Sequence, residues 1–445
     1  MKRTLILAAT LGLILTGQSQ LLQTKDPSTL KKISPQRFAR IDASGQIIGP
    51  WIPLTQPGAP GIQGAVAWVN GWDSTDTDVT LLPDAIYNQV YGNTAYGGAP
   101  GYFGDTYNWP IAVNDITVNP ATARKSAGYV HLTNTWNPGG TAFPSGSSNM
   151  ALAVFTGHGF NPTTDSLSGL VFDFGTQVGG YYWLQANLSG TGYGIALPDG
   201  AGHSWIVMGR ISGGSLVQLA TGNCSPDIRN MCSPGEPQFP GTNPSSSSQN
   251  CWMDINPANF IVASNELYSL NYTGSSVGIF QPTLGLFVDA NQPTISGTCT
   301  LQDIDPFTSR PVQWVEITTT QAGNPGNVIS VQTVALGSAG QYEVIAPTSN
   351  GNYDLYARSF HWLRRIRAGV SYLGSNVTGI NFSLENGDCD EDNEIGIGDF
   401  AILSAAYNSD PSSGNWNVSA DLNHDDAVDI ADYAILSFNY GLGGD

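Results

Sequence analysis

The sequence predicts a mainly β protein, with a large N-terminal β-sandwich, a smaller β-sandwich and a small α-helical module at the end of the chain. Short runs of β-branched and aromatic residues, separated by Gly, Pro and Asn, fill most of the 445 residues and are typical of sandwich strands. Charged residues make up only 11% of the chain, yet acidic residues crowd its last segment. That segment also repeats itself at an offset of 33 residues, which indicates a duplicated supersecondary unit.

Residues 1–19 have the composition of a secretory signal peptide. Lys2 and Arg3 give a positive start, and the apolar run over residues 5–15 is too short to span a bilayer. The small Ser19 suits cleavage after it. We therefore expect a secreted, extracellular or cell-surface protein with no membrane span. The net charge of −19 and the sequence pI of about 4.3 also argue against a nucleic-acid partner.

Residues 20–290 form the first predicted domain, a β-sandwich of roughly ten strands or more. One or two helical turns are expected near residues 82–90. The runs that predict the strands are rich in aliphatic and aromatic residues. They include residues 65–69, 128–133, 150–155, 169–174, 181–186, 193–197, 204–208, 216–220 and 284–288.

Three cysteines, Cys224, Cys232 and Cys251, flank a stretch rich in Ser and Pro that is loop by composition. In an exported protein some pair of the three is expected to be bridged, and the sequence leaves open which pair. Cys299 and Cys389 fall in other predicted domains. The odd count of five leaves at least one thiol free or paired between chains.

The first domain offers little for catalysis. A glycoside hydrolase needs two carboxylates, one of them kept protonated, but residues 20–290 contain only Glu236 and Glu266 as glutamates. The Asp residues of this domain stand mostly in turns, where Asp often caps the turn. His131 alternates within a strand, which indicates a surface or half-buried ring, and His203 lies between small residues, which indicates an exposed loop. No catalytic residue is assigned. The sequence does not decide whether the protein is an enzyme, and it favours a protein without catalysis.

Aromatic side chains are dense in the same domain. Trp72 and Trp109 stand beside Asp, Asn and Pro and are the best candidates for exposed rings that stack on a sugar. The alternative is that most of the aromatic residues belong to the core, since large sandwiches bury Trp. The wider set comprises Trp51, Trp68, Trp136, Tyr181, Tyr182, Trp183 and Trp205.

Residues 292–385 are predicted to form the smaller β-sandwich, of immunoglobulin-like size and spacing. Its predicted strands cover residues 294–301, 312–318, 328–334, 341–345, 353–357 and 380–384. The Ile-Ser-Gly-Thr sequence at 295–298 and the Gly-Gln-Tyr-Glu-Val sequence at 340–344 resemble carboxypeptidase regulatory-like domains. The resemblance implies a structural spacer without peptidase activity.

Residues 386–445 contain two twelve-residue segments, 388–399 and 421–432, with the layout of a calcium loop. Such a loop supplies oxygen ligands from positions 1, 3, 5, 7, 9 and 12. The first loop would use the side chains of Asp388, Asp390, Asp392 and Asp399 and the carbonyl of Glu394, with a water at position 9. The second would use the side chains of Asp421, Asn423, Asp425, Asp429 and Asp432 and the carbonyl of Ala427. We therefore expect two bound Ca²⁺ ions.

Position 6 of such a loop must turn sharply. It is Asn393 in the first loop and Asp426 in the second, two residue types that tolerate a left-handed backbone. The helix after each loop carries apolar residues three and four apart, and we expect the two apolar faces to close on one another. These residues are Phe400, Leu403 and Tyr407, then Tyr433, Leu436 and Tyr440.

Charge supports the metal prediction independently. From Glu385 to Asp445 there are fourteen Asp and Glu and no Lys or Arg. Without a cation this cluster repels itself, so that metal affinity becomes folding free energy. The alternative, a solvated acidic tail, would not carry Asp spacing in register or a duplicated apolar helix.

The segment resembles a type I dockerin, the paired-loop module that plugs an extracellular protein into a cohesin. Both loops match, with Asp at position 12 and no helix before the loop. Positions 10 and 11, usually polar cohesin contacts in that family, are Ile397-Gly398 and Ile430-Ala431 here. The resemblance implies two Ca²⁺ ions and a cohesin-like partner. The alternative is a module that docks on a β domain of its own chain.

Two classes of function follow. The first is a secreted calcium-binding modular protein whose tail mediates docking or extracellular assembly, and whose β domain binds a surface or glycan ligand, such as a polysaccharide, without catalysis. The second is a secreted carbohydrate-active enzyme, a glycosidase of polysaccharide catabolism. The scarcity of Glu in residues 20–290 favours the first class.

Overall fold

The computed structural model describes residues 22–24, 31–42, 45–54, 64–70, 87–89, 111–118, 121–136, 146–157, 166–199, 201–217, 228–230, 232–234, 251–254, 267–269, 280–282, 284–289, 292–304 and 314–445. Strands dominate these residues and the α-helices are short, so that the protein is mainly β, as predicted. The chain divides into two compact units. The first comprises Met1–Ala123, Ala127–Leu188 and Gly200–Ala290, and the second comprises Arg124–Ser126, Ser189–Asp199 and Asn291–Asp445.

The strands before residue 290 are mostly short, with a few long ones among them. In chain order they are β1 (Leu22–Thr24), β2 (Lys31–Ile33), β3 (Arg37–Ile41), β4 (Ile47–Pro53), β5 (Gly64–Asn70), β6 (Tyr87–Gln89), β7 (Ile111–Thr117), β8 (Ser126–Ala127), β9 (Tyr129–Trp136), β10 (Ser147–Gly157), β11 (Ser166–Val178), β12 (Gly180–Asn187), β13 (Ile195–Ala196), β14 (Ala201–Ser212), β15 (Ser215–Val217), β16 (Ile228–Asn230), β17 (Cys232–Pro234), β18 (Cys251–Asp254), β19 (Leu267–Ser269), β20 (Phe280–Pro282) and β21 (Leu284–Asp289).

The largest sheet has the order β19-β18-β7-β14-β10-β11-β3-β4, with β15 paired to β14. A second sheet has the order β2-β12-β9-β21-β5, with β16 paired to β9, and smaller sheets are β1-β6-β17-β20 and β13-β8. Strand β10 is buried at every position over residues 150–157. Because successive side chains point to opposite faces of a sheet, both faces of the largest sheet are covered there.

Two backbone predictions in this unit are wrong. Of the residues 82–90 where helical turns were expected, 87–89 form strand β6 instead, and the others lie outside the described residues. His203 was expected in an exposed loop and instead lies in β14, where it pairs with Asp115 of β7. In both places the pairing of neighbouring strands prevails over the local turn-forming composition.

The burial of three side chains in this unit can be compared with the predictions. His131 is not a surface or half-buried ring but is fully buried, and its Nδ1 accepts a hydrogen bond from Trp183 Nε1 at 3.1 Å. Tyr182 and Trp183 are buried as core residues, which supports the core alternative for these two aromatic residues. The predicted disulfide, the exposed rings and the two glutamates lie outside the residues whose side chains are described.

The second unit contains a sandwich of two sheets. Its strands are β22 (Thr294–Leu301), β23 (Trp314–Gln321), β24 (Asn324–Ala335), β25 (Gln341–Ile345), β26 (Gly351–Ser359), β27 (Trp362–Tyr372) and β28 (Phe382–Leu384). The sheet orders are β25-β22-β28 and β24-β23-β26-β27, and buried residues of both sheets share one core. The six predicted strands are found, β22 and β25 with the predicted bounds and the other four with shifted ends, whereas β27 was not predicted.

Gly297, in the Ile-Ser-Gly-Thr sequence, stands where a side chain would collide with a neighbouring backbone. A Cβ added there would lie 1.8 Å from the carbonyl oxygen of Ile380. The segment leading into β28 passes this close because Ile380 N donates a hydrogen bond to Ser296 O at 3.1 Å. Only glycine lets the two backbones approach to this distance.

The last sixty residues carry two α-helices, α1 (Ile397–Ala406) and α2 (Ile430–Asn439), and a 3₁₀ turn at Val418–Ala420. The side chain of Asp399 accepts a hydrogen bond from Gly396 N at 2.6 Å, and that of Asp432 accepts one from Asp429 N at 2.8 Å. Each carboxylate thus satisfies a free amide at the start of its helix. Among the described residues, no helix has the length and apolar character needed to cross a membrane.

Candidate metal centre

The first predicted loop gathers three carboxylates. Oxygen atoms of Asp388, Asp390 and Asp392 all lie within 4.8 Å of one another. Backbone amides hold the loop in shape: Asp388 Oδ2 accepts from Asn393 N at 3.2 Å, and Asp392 Oδ1 accepts from Glu394 N at 2.9 Å. The result is a cluster of oxygen atoms of the kind that a hard divalent cation prefers.

Asp388 gives the strongest indication of a bound cation in this loop. Its side chain is only 3% exposed, and its Oδ1 is buried with no hydrogen-bond partner among the described residues. Burial, together with repulsion from Asp399, raises the pKa of Asp388 to about 6. A buried, unpartnered carboxylate oxygen beside other carboxylates is costly unless a cation compensates it. The residues therefore fit a divalent cation.

Asp399, at position 12, closes the loop from the helix side. It is buried, its Oδ1 accepts from Asp390 N at 3.1 Å, and burial raises its pKa. Gly398 leaves room for the neighbouring ligand, because a Cβ there would lie 2.1 Å from Asp390 Oδ2. The predicted contributor at position 7, Glu394, lies in the same loop, and its amide is held by Asp392.

The second loop repeats this arrangement. Asp421 and Asp432, the counterparts of Asp388 and Asp399, are both fully buried. Asp421 accepts from the amides of Asp425 and Asp426 at 3.1 and 3.2 Å. Asn423 Nδ2 donates to Asp425 Oδ2 at 2.9 Å, so that an amide relieves part of the repulsion here.

The remaining predicted ligands of the second loop also have structural partners. Asp432 Oδ1 accepts from Leu422 N at 2.6 Å, and burial raises the pKa of Asp432. Asp429 caps α2, with its Oδ1 accepting from Ala431 N at 2.7 Å. The amide of Ala427 donates to Asp425 Oδ1 at 3.0 Å. One carboxylate oxygen of Asp429 therefore caps α2, and its other oxygen is the predicted metal ligand.

Each loop is closed by a short backbone pairing at its position 8. Val428 of the second loop pairs with residues 408–409 through hydrogen bonds of 2.9 and 2.7 Å. Ile395 of the first loop makes the same two bonds, both 2.8 Å, with residues 441–442. The segment after each helix therefore closes the loop that precedes the other helix.

The apolar faces of the two helices do not close on one another as expected. Leu403 and Leu436 are buried, but the other four predicted residues are not, and Phe400 is 37% exposed. The core of the module instead combines residues of both helices with residues from outside them. That core consists of Leu363, Cys389, Ile395, Leu403, Ala406, Ala420, Leu422, Val428 and Leu436.

Exposed apolar residues consequently lie at matching positions of the two repeats. The pairs that differ by 33 residues are Ile397 with Ile430, Phe400 with Tyr433, and Tyr407 with Tyr440. The rings of Phe400 and Tyr433 meet edge to face, with centroids 6.3 Å apart. A duplicated apolar surface is thus left on the solvent side of α1 and α2.

The sandwich and the paired loops share buried contacts within the second unit. Leu363 of β27 belongs to the core of the loop module. Gln302, which follows β22, accepts from Asn439 Nδ2 at 3.0 Å and from Asn386 N at 3.3 Å. Strand β27 also pairs with the last residue, since Asp445 N donates to Arg364 O at 3.0 Å.

Sequence reasoning missed the residues that join the two parts. His361 is fully buried and lies 2.7 Å from His424 through their Nε2 atoms. Arg358 forms an ion pair with Glu391. Alignment of the loops would have shown that Glu391 and His424 both stand at position 4. Their partners could not be found from the sequence, because β27 and its neighbours were not recognised as a hairpin.

No known protein-family model matches the chain, and no curated protein matches it. Among solved structures, two type II cohesin–X-dockerin complexes from Acetivibrio cellulolyticus are similar to part of it. The N-terminal interface mutant shares 18% identity and the C-terminal interface mutant 20%, each over 34% of this chain and 97% of that chain, both at a TM-score of 0.27. The group B streptococcus pilus 2b backbone protein shares 11% identity over 64% of this chain and 96% of that chain, at a TM-score of 0.14. With TM-scores this low, none of the three supports a fold or a function here.

Proposed function

We propose that residues 386–445 are a calcium-dependent docking module of the dockerin type, carried by an immunoglobulin-like sandwich in a secreted modular protein. The observation that carries the proposal is the buried Oδ1 of Asp388, which has no hydrogen-bond partner in the described part of the chain and lies within a cluster of carboxylates. Two loops of the same spacing and the same hydrogen-bond pattern support two Ca²⁺ ions.

The duplicated apolar surface supports the docking role. Ile397, Phe400, Ile430 and Tyr433 stand exposed on two neighbouring helices, and such patches mark sites of protein–protein contact. Calcium would order the loops from which both helices start, and hence the surface itself. A cohesin-like domain is the partner that the loop pattern favours.

Binding of the purified full chain to a panel of type I and type II cohesin domains tests this function. We expect at least one cohesin to bind in millimolar Ca²⁺ and to be released by EDTA. The combined variant Phe400→Ser, Tyr433→Ser should lose binding while still taking up calcium. Val328→Ser, which removes an exposed apolar residue of the sandwich, is the matched control. Failure of every cohesin to bind the calcium-loaded chain would overturn the docking role.

For residues 20–290 we keep the prediction of a non-catalytic protein that binds a surface or glycan ligand. It rests on the aromatic density and the scarcity of Glu in the sequence. Depletion of the full chain by insoluble polysaccharides without release of reducing sugar is the expected result. Sugar release would favour the glycoside hydrolase instead.

A further inference from the structure

Position 4 of each loop has an unusual backbone. Glu391 and His424, which correspond across the 33-residue repeat, have φ angles of 62° and 61°. A left-handed backbone is uncommon for residues other than glycine, and it is less common for Glu than for His. Such conformations persist where the surroundings hold them. In both loops the side chain at this position contacts the β26–β27 hairpin, residues 351–372.

The second loop is held through two histidines. His361, in the turn of the hairpin, is fully buried and stacks on Trp362 with ring centroids 4.0 Å apart. Its Nδ1 lies 2.7 Å from Asn386 Oδ1, and Asn386 Nδ2 donates to Leu422 O at 2.8 Å. This network assigns the proton of His361 to Nδ1. His361 Nε2 then accepts, and His424 Nε2 donates across the 2.7 Å contact.

The first loop is held at two of its residues with a left-handed backbone. Arg358 of the hairpin forms an ion pair with Glu391 at position 4. The backbone amide of Arg364 donates to Asn393 Oδ1 at 2.9 Å, and Asn393, at position 6, has a φ of 70°. The hairpin thus contacts a left-handed residue of each loop.

We propose that the β26–β27 hairpin positions both loops for the cation, so that Ca²⁺ affinity and the stability of the hairpin are coupled. The inference rests on the proposed calcium binding and extends it from the ligands to residues of the sandwich. Holding Glu391 and His424 in their strained conformations removes part of the ordering that the cation would otherwise have to bring about. By linkage, the bound cation stabilises the hairpin to the same extent.

For a variant that removes the Arg358 side chain, simple electrostatics predicts the opposite change in Ca²⁺ affinity. If Arg358 acted only as a nearby positive charge, its removal would relieve repulsion of Ca²⁺ and tighten binding. If Arg358 holds Glu391 in place, its removal weakens binding. Arg367, on the same hairpin, donates instead to the carbonyl of Asn381 and provides the matched control for charge.

Isothermal titration of the full chain with CaCl₂ and hydrogen–deuterium exchange with mass spectrometry test the proposal together. His424→Asn keeps a residue that tolerates the left-handed backbone but shortens the side chain beyond reach of His361. We expect His424→Asn to weaken Ca²⁺ binding about fivefold or more and Arg358→Ala to weaken it about twofold. Arg367→Ala should bind Ca²⁺ as the wild type does or slightly more tightly.

Exchange localises the effect. Calcium should slow exchange in peptides from the hairpin of the wild type, and His424→Asn should reduce that protection, with faster exchange in the second loop. Wild-type affinity in both His424→Asn and Arg358→Ala, or hairpin exchange that ignores calcium, would overturn the proposal and leave calcium binding intact. A wild type that takes up no calcium would overturn both.

Discussion

Asp388 combines three unfavourable conditions at the scale of one residue. It is buried, it has like charges beside it, and its Oδ1 lacks a hydrogen-bond partner among the described residues. Its raised pKa records the same cost. A cation at this point turns each of these terms from unfavourable to favourable.

The variant Asp388→Asn should therefore change the sign of its effect with calcium. In EDTA we expect its second unit to melt at the same temperature as the wild type or higher, because the buried charge is gone. In millimolar Ca²⁺ its melting temperature should be lower than that of the wild type, because a metal ligand is lost. Differential scanning fluorimetry in both buffers measures this.

Asp410→Asn is the control for the variant at Asp388, because Asp410 lies outside both loops and is exposed. It removes the same charge from the same module and should shift the melting temperature little in either buffer. A lower melting temperature for Asp388→Asn in EDTA would contradict the repulsion argument.

His131 is a second residue whose environment opposes its charge. Burial, reinforced by the charge of Lys32, lowers its pKa from 6.5 to about 3. The ring accepts a hydrogen bond from Trp183 Nε1, and Lys32 Nζ lies 3.8 Å from the centre of the Trp183 ring. The folded protein thus keeps His131 neutral at a pH where the unfolded chain protonates it.

The stability of the first unit should depend on pH through this residue. The contribution is fully present above pH 6.5 and falls as the pH drops from 6.5 toward 3, by up to about 1.4 kcal/mol for each pH unit. Denaturant unfolding at several pH values measures the slope. His131→Gln, which keeps an acceptor for Trp183, should reduce it by one proton. An unchanged slope in that variant would contradict the assignment.

At the scale of elements, the sandwich requires a close approach of two backbones at Gly297. Gly297→Ala should destabilise the second unit by about 1–3 kcal/mol, because the new methyl group would push the segment before β28 away from β22. Denaturant unfolding measures the loss. Gly326→Ala in β24 is the control, since the nearest atom to its added Cβ is 3.8 Å away. Equal stability of the two variants would contradict the steric argument.

The elements also show where sequence reasoning succeeds. The alternation of apolar residues predicts β22 and β25 to the residue, because one side of each strand faces the core and the other faces solvent. Asn393 and Asp426 have the left-handed backbone expected at position 6. Local chemistry decides these features, so that the sequence alone is sufficient for them.

Strand β27 shows where such reasoning stops. Its residues 364–367 include three Arg and therefore lack the run of apolar or β-branched residues that predicts a strand. In the structure two of these arginines contact the loop module: Arg365 Nη1 donates to Gly443 O at 2.8 Å, and Arg364 Nε donates to Asp445 O at 2.7 Å. A surface that is polar because it meets another part of the chain has no signature in the strand itself. The exposed rings of Phe400 and Tyr433 were not expected either, because helical periodicity does not distinguish an apolar face that packs in a core from one that stays exposed.

At the scale of the whole molecule, the two units should respond differently to calcium. All eleven predicted ligands lie in the second unit, where Leu363 of the sandwich completes the core of the loop module. The sandwich and the module are therefore expected to unfold together, and the first unit to unfold apart from them.

Calorimetry of the full chain with Ca²⁺ and with EDTA tests this expectation. Calcium at about a thousand times its Kd should stabilise one transition by roughly 4 kcal/mol for each bound ion and leave the other transition in place. Leu363→Ala should lower the calcium-sensitive transition, in EDTA as well. A separate low-temperature transition of the loop module alone, or a shift of both transitions with calcium, would contradict the shared core.

The crossed closure of the two loops sets an order of assembly. The second loop pairs with residues 408–409, which leave the ribosome before it does, whereas the first loop must wait for residues 441–442. The pairing of the first loop also spans the longer stretch of chain, and long closures are slower to form. We expect the loop that is synthesised first to mature last. Trimming by a carboxypeptidase past residue 441 would open that loop while sparing the closure of its twin.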